Sequence, residues 1–188
     1  MVSHIHPWTR CCRRGENRQH LSGGPLPSVR GRALGEKVEL FLSTFVNKVD
    51  RKGRVSVPAT FRAAVADQSF PGIVVFPSFK YEALDASGIK RMEEMSDRLN
   101  TLEEFSEEHE NLGVLFAASQ ALPFDTEGRI VLPETLAAYA HITDSAAFVG
   151  LGKSFQIWEP ARFADHQGML RERARRQGTR LPPLGGPA

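Results

Sequence analysis

The strongest chemical signal in this sequence is a cluster of positive charge. Arg51, Lys52 and Arg54 place three cations within four residues, beside Asp50 and Gly53. Cations gathered on a tight turn can reach the phosphates of a nucleic acid, and an arginine there can form a two-pronged contact with guanine. Asp50 can pair with Arg54 inside the turn and also orient it toward a base. A carboxylate pair for acid–base work, Asp50 with Asp125, is the weaker reading, because each aspartate has its own arginine. No other catalytic constellation is found. His4, His6 and His20 lie in the N-terminal extension, His109, His141 and His166 have no Cys or His partner at metal-ligand spacing, and Cys11 and Cys12 stand side by side. Phosphate loops and nucleophile elbows are absent. The chain is therefore expected to be no enzyme, with no cofactor, metal or small-molecule substrate.

The turn recurs. Asp50, Gly53, Arg54, Pro58 and Thr60 reappear 75 residues later as Asp125, Gly128, Arg129, Pro133 and Thr135. Val55, Val57 and Phe61 are matched by the apolar Ile130, Leu132 and Leu136. The chain reads as two copies of one unit, 38–111 and 112–176. In the second turn Thr126 and Glu127 replace Arg51 and Lys52, leaving Arg129 as its cation. That copy is expected to bind more weakly or to serve mainly in assembly.

The elements that must hold these turns follow from local chemistry. The aspartate bonds its own backbone and the glycine supplies positive φ, which makes each turn tight. Leu40 to Val46 is β-prone before the first turn, and Gly113 to Ala117 leads toward Leu122 before the second. Arg54 to Val57 and Arg129 to Leu132 read as short strands. Pro58 and Pro133 then open short helices over 59–66 and 134–140. Ile73–Phe76, Ala147–Leu151 and Phe155–Trp158 are further strands, with a weaker hairpin over Pro77–Tyr81. Ile89, Met92, Met95, Leu99, Leu102 and Phe105 recur at helical spacing, which predicts one helix whose other face carries Glu93, Glu94, Asp97, Glu103, Glu104, Glu107 and Glu108. A second closing helix spans about 160–176, with Phe163, Met169 and Leu170 inward.

Charge divides the 188 residues into three regions. Residues 1–37 carry net +5, residues 38–167 net −7 and residues 168–188 net +4, within an overall +2. A general basic field is thus lacking, and any nucleic-acid contact must be local. Residues 1–37 show no periodicity and are expected to be a disordered, dispensable extension, with Val38 as a candidate start. The tail over 177–188 is expected to be disordered too. No apolar run reaches about 18 residues, so no membrane partner is expected.

These residues resemble the MraZ family, which is built from two AbrB-like (SpoVT-AbrB) domains in tandem. The match rests on Asn47–Pro58, Phe124–Pro133 and Val149–Trp158 and covers about residues 38–175. It departs at Glu127 and in the arginine-rich N-terminal extension. The resemblance implies a mainly β fold with α, its interleaved hairpins forming a small β-barrel with helices outside. It implies a ring-shaped homo-oligomer, cytoplasmic and nucleoid-associated. It also implies binding to double-stranded promoter DNA with repeated short boxes, and control of the bacterial division and cell-wall cluster, including its own operon. Asp50, Lys52, Arg54, Asp125 and Arg129 then fall in the DNA-binding loops, with Arg51, Gly53 and Gly128 completing the turns. The alternative is a protein-interaction or assembly module, antitoxin-like, on the same barrel without DNA binding.

Overall fold

The computed structural model describes residues 40–104 and 106–178. The expectations for residues 1–37 and for the tail beyond 178 lie outside the described residues. Elements alternate in the order expected of a duplicated unit. The first copy gives β1 (Thr44–Lys48), β2 (Arg54–Ser56), α1 (Ala59–Ala64), β3 (Gly72–Pro77), β4 (Leu84–Ser87) and α2 (Ile89–Leu99). After α3 (Glu107–Ala118), the second copy gives β5 (Gln120–Pro123), β6 (Arg129–Val131), α4 (Glu134–Tyr139), β7 (Ser145–Gly150), β8 (Phe155–Trp158) and α5 (Pro160–Gln177).

The two copies exchange strands. Six strands form one antiparallel sheet in the order β1-β7-β8-β4-β3-β5, and β2 pairs with β6 in a separate two-stranded ribbon. The first strand of each copy therefore lies beside the third strand of the other, Phe45 opposite Phe148 and Leu122 opposite Ile73. The hairpins are interleaved, as expected. Among the described residues, however, the ladders do not close into a continuous barrel. Between β1 and β2 the pairing is reduced to one bridge, Val49 with Val55, because the tight turn directs the three-residue β2 toward the other copy's β6.

The apolar half of the repeat builds the core. Val55, Val57, Phe61, Ile130, Leu132 and Leu136 are all buried in one cluster. Phe61 is at its centre, edge-on to Phe41 at 5.2 Å and to Phe45 at 5.7 Å, and 5.0 Å from Phe155. Such aromatic pairs add to the stabilisation from burial alone. β1 alternates between exposed and half-buried residues, whereas β3 and β7 are buried almost throughout. The reason is cover on both faces. Val74 and Phe76 of β3 pack beneath Met92 of α2 and Leu115 of α3, and Val149 of β7 clusters with Trp158 and Phe163.

Some elements depart from the sequence reading. The helix predicted through Phe105 ends at Leu99, where the Thr101 hydroxyl donates to the Arg98 carbonyl at 2.7 Å. A new helix starts after Ser106, whose hydroxyl accepts from the His109 N–H at 3.2 Å. Asn100, Thr101 and Ser106 favour such local side-chain bonds over helix continuation. The acidic first turn of α3 suits its N-terminal dipole, and Glu108 pairs back to Arg98 on α2. Gly113 to Ala117 is consequently helical, not a lead-in strand. Pro58 and Pro133 stand at the N-caps, one residue before the first helical position. Of the weak hairpin expected over Pro77–Tyr81, Pro77 ends β3 and 78–81 lie in the loop, so the returning strand comes later as β4. Phe163 packs 6.0 Å from Trp158, but Met169 is 64% exposed and Leu170 47% exposed, since residues 168–178 are exposed throughout.

Candidate nucleic-acid interface

Each turn is built around one aspartate. In the first, Asp50 Oδ1 accepts from the backbone N–H groups of Lys52 and Arg54, both at 2.9 Å, while Oδ2 accepts from Arg54 Nε at 2.6 Å. The second is an almost identical copy. Asp125 Oδ1 accepts from the N–H groups of Glu127 and Arg129 at 2.9 Å, and Oδ2 accepts from Arg129 Nε at 2.7 Å. The backbone closes both turns in the same way, Gly53 N–H to the Asp50 carbonyl and Gly128 N–H to the Asp125 carbonyl at 2.9 Å. Gly53 and Gly128 have φ of 72° and 74°, which a residue with a Cβ adopts only with strain.

These bonds fix the charge state. The Arg54 side chain, followed by the backbone N–H groups, holds the Asp50 carboxyl down at about 2. The Arg129 backbone N–H and then its guanidinium lower Asp125, and Asp125 in return raises Arg129. Both aspartates are thus ionised at neutral pH and act as fixed anchors for their arginines.

The two copies hold each other's turns. The Leu132 N–H donates to the Gly53 carbonyl at 2.8 Å, and the Val57 N–H donates to the Gly128 carbonyl at 3.1 Å. Between them, β2 and β6 pair with Arg54 opposite Val131, Val55 opposite Ile130 and Ser56 opposite Arg129. Val55 and Ile130 face the core. Arg54, Ser56, Arg129 and Val131 therefore share the outer face of the ribbon, because successive strand residues alternate sides. The Asn47 amide adds a bond to the Ser56 carbonyl at 2.7 Å.

All eight residues read from the sequence (Asp50, Arg51, Lys52, Gly53, Arg54, Asp125, Gly128 and Arg129) are brought to the two ends of this ribbon. The cations are not equivalent. Arg51 and Lys52 are exposed and pair with no carboxylate among the described residues. Arg54 is 36% exposed and, among the described residues, pairs with Asp50 only. Arg129 is 27% exposed and lies between two carboxylates, Asp125 at 2.7 Å and Glu127 at 2.7 Å. One neighbour escaped the sequence reading. Arg62 on α1 donates from Nε to the Val57 carbonyl at 3.1 Å and lays its guanidinium against Gly128 of the opposite turn. The available signal was a break in the repeat, since the matching position holds Ala137.

Elsewhere among the described residues, no group of three His, Cys, Asp or Glu side chains is placed to hold a metal ion. No helix is long and apolar enough to cross a membrane.

The architecture defines a class: an internally duplicated β/α protein whose halves share one sheet and present paired Asp-Arg turns on a two-stranded ribbon. Residues 115–180 match the family described as "MraZ protein, putative antitoxin-like". The chain is 39% identical over 155 residues to the Transcriptional regulator MraZ of Gluconobacter oxydans, covering 80% of this chain and 94% of that relative. It is 43% identical over 139 residues to the Transcriptional regulator MraZ of Beijerinckia indica, covering 73% and 85% of the two chains. With the protein of the same name from Methylocella silvestris it shares 45% identity over 136 residues, 72% of this chain and 83% of the other. The chain belongs to the MraZ family.

Proposed function

We propose that this protein is a sequence-specific DNA-binding transcriptional regulator that reads promoter DNA with the β2–β6 ribbon. The observation that carries this is the ribbon itself, with Arg54 and Arg129 on its outer face, each oriented by an aspartate. A two-stranded ribbon has the right width for the major groove, where a guanidinium can bond guanine O6 and N7 together. Arg51 and Lys52 beside it supply phosphate contacts, which fix position without reading sequence. The names of the relatives, transcriptional regulators, agree with this reading.

The finer parts of the proposal follow the resemblance. Residues 38–111 and 112–176 are two AbrB-like units, and the sheet and ribbon together are the barrel-like body. Copies assemble into a ring, so several ribbons meet repeated short boxes at once and weak contacts become avid. The site of action is the cytoplasmic nucleoid, and the targets are the division and cell-wall cluster and the protein's own operon. A gel shift on the DNA upstream of its own gene tests the reading. The wild type should shift that fragment at salt levels where random DNA stays free, and Arg54→Ala should abolish the difference. Retardation of neither fragment by the wild type would favour the protein-interaction alternative.

A further inference from the structure

The second turn looks poorly suited to an anion. It sets Arg129 against Asp125 and Glu127, net −1, where the first turn sets Arg51, Lys52 and Arg54 against Asp50, net +2. The fold changes this balance with a cation from the other copy. Arg62 is anchored by its Nε on the Val57 carbonyl, and a Cβ built on Gly128 would lie 2.3 Å from its Nη1 and 2.5 Å from its Cζ. The guanidinium therefore rests on the peptide of the second turn, and Gly128 is buried beneath it. Glycine there supplies the positive φ and leaves room for this approach.

Among the described residues Arg62 has no carboxylate partner and uses its Nε alone in a hydrogen bond to protein. A guanidinium has five N–H donors. The rest are left for water or an anion, while the two carboxylates of the same turn already hold Arg129. The repeat gives the contrast. At the position matching Arg62, Ala137 packs on the core, and among the described residues the first turn receives no helix cation in return.

We propose that Arg62, from the helix of the first copy, is the phosphate-contacting cation of the second turn, so that this end of the ribbon is built by both copies. The assignment rests on the DNA-binding reading above. Arg129 is then free to act as the oriented side chain of its turn, while Arg62 supplies the charge that Arg51 and Lys52 supply in the first.

The test is a titration of the full chain against two labelled duplexes, its own upstream DNA and a random sequence, over a range of salt. Wild type, Arg62→Gln, Arg62→Lys and Arg54→Ala are compared, with thermal melts of each. Loss of one phosphate contact lowers the slope of log K against log[salt] by about 0.9. Arg62→Gln should flatten the slope by that amount for each second turn engaged, on both duplexes alike, whereas Arg62→Lys should keep the wild-type slope. Because the comparison is between a neutral and a charged substitute, it holds even if both lower the melting temperature. Equal slopes for Arg62→Gln and wild type, with Arg54→Ala losing specific binding, would overturn the assignment and leave the DNA reading standing. So would equal flattening by Arg62→Gln and Arg62→Lys, since the effect would then come from the turn's shape. If the wild type binds neither duplex, the DNA reading fails and the assignment falls with it.

Discussion

The first turn carries Arg51, Lys52 and Arg54 around Asp50; the second carries Arg129 between Asp125 and Glu127, with Arg62 leaning on its glycine. Their backbones are nearly superimposable hydrogen bond for hydrogen bond. The contrast shows how a duplicated unit diverges: the bonds that shape the turn are kept, and the charge around it is redistributed. A tight turn tolerates few alternatives to Asp and Gly, whereas the two residues between them point to solvent and are free to change.

The copies should differ most in the core. Phe61→Ala removes a ring packed against four other phenylalanines and should cost about 3–5 kcal/mol, against about 2–5 kcal/mol for the matching Leu136→Ala. Urea denaturation of both variants measures the difference. If Leu136→Ala proves the more damaging, the aromatic cluster is not the centre of the shared core.

For DNA, Arg54→Ala should cost about 1–3 kcal/mol on the specific site if it makes a bidentate base contact, and less on random DNA. Arg129→Ala should cost less than Arg54→Ala, because Glu127 and Asp125 both hold its guanidinium. Fluorescence anisotropy on both duplexes decides this. Equal losses, with the oligomer intact, would mean that the two turns share the work.

The glycines sharpen the comparison. Gly53→Ala forces a Cβ into the left-handed region at about 1–2 kcal/mol, and that Cβ meets the Leu132 carbonyl at 2.9 Å, a backbone atom that cannot swing aside. Gly128→Ala meets the Arg62 side chain instead, which can move. Gly53→Ala should therefore lower stability more, and Gly128→Ala should lower DNA affinity beyond its stability loss. Chemical denaturation and binding, measured together, separate the two.

Lys52→Ala should weaken binding to all sequences and flatten the salt slope by about 0.9. At Thr126, the matching position in sequence to Arg51, a change to Ala should leave the slope unaltered. A flattened slope for the threonine variant would place the second turn closer to phosphate than its charge allows.

The smallest effect is in acid. The Asp50 carboxyl titrates at about 2 in the folded chain, below its ordinary 3.8. Its contribution to stability is thus fully present above pH 3.8 and is lost as pH falls through about 2. Asp125 is lowered in the same sense. Asp50→Asn should make the stability profile flatter over that window, as followed by circular dichroism, while leaving the neutral-pH slope unchanged. An unchanged acid limb would show that the Asp50–Arg54 pair does not contribute.

Much of this protein was legible in the residue order. The duplicated turn, its aspartate anchor, its glycine and the buried apolar positions Val55, Val57, Phe61, Ile130, Leu132 and Leu136 all follow from types and spacing, because a tight turn and a short buried strand are local matters. The break at Thr101 and Ser106 was hidden because a helical apolar period continued by chance across a stretch that hydrogen-bonds to itself. The strand exchange, by contrast, is non-local. The pairing of β1 with β7 and β5 with β3 depends on which copy covers which edge, and no local pattern states that. The same exchange carries Arg62 to a glycine 66 positions away in the chain, where the close approach of two copies, rather than sequence neighbourhood, determines the charge of the second turn.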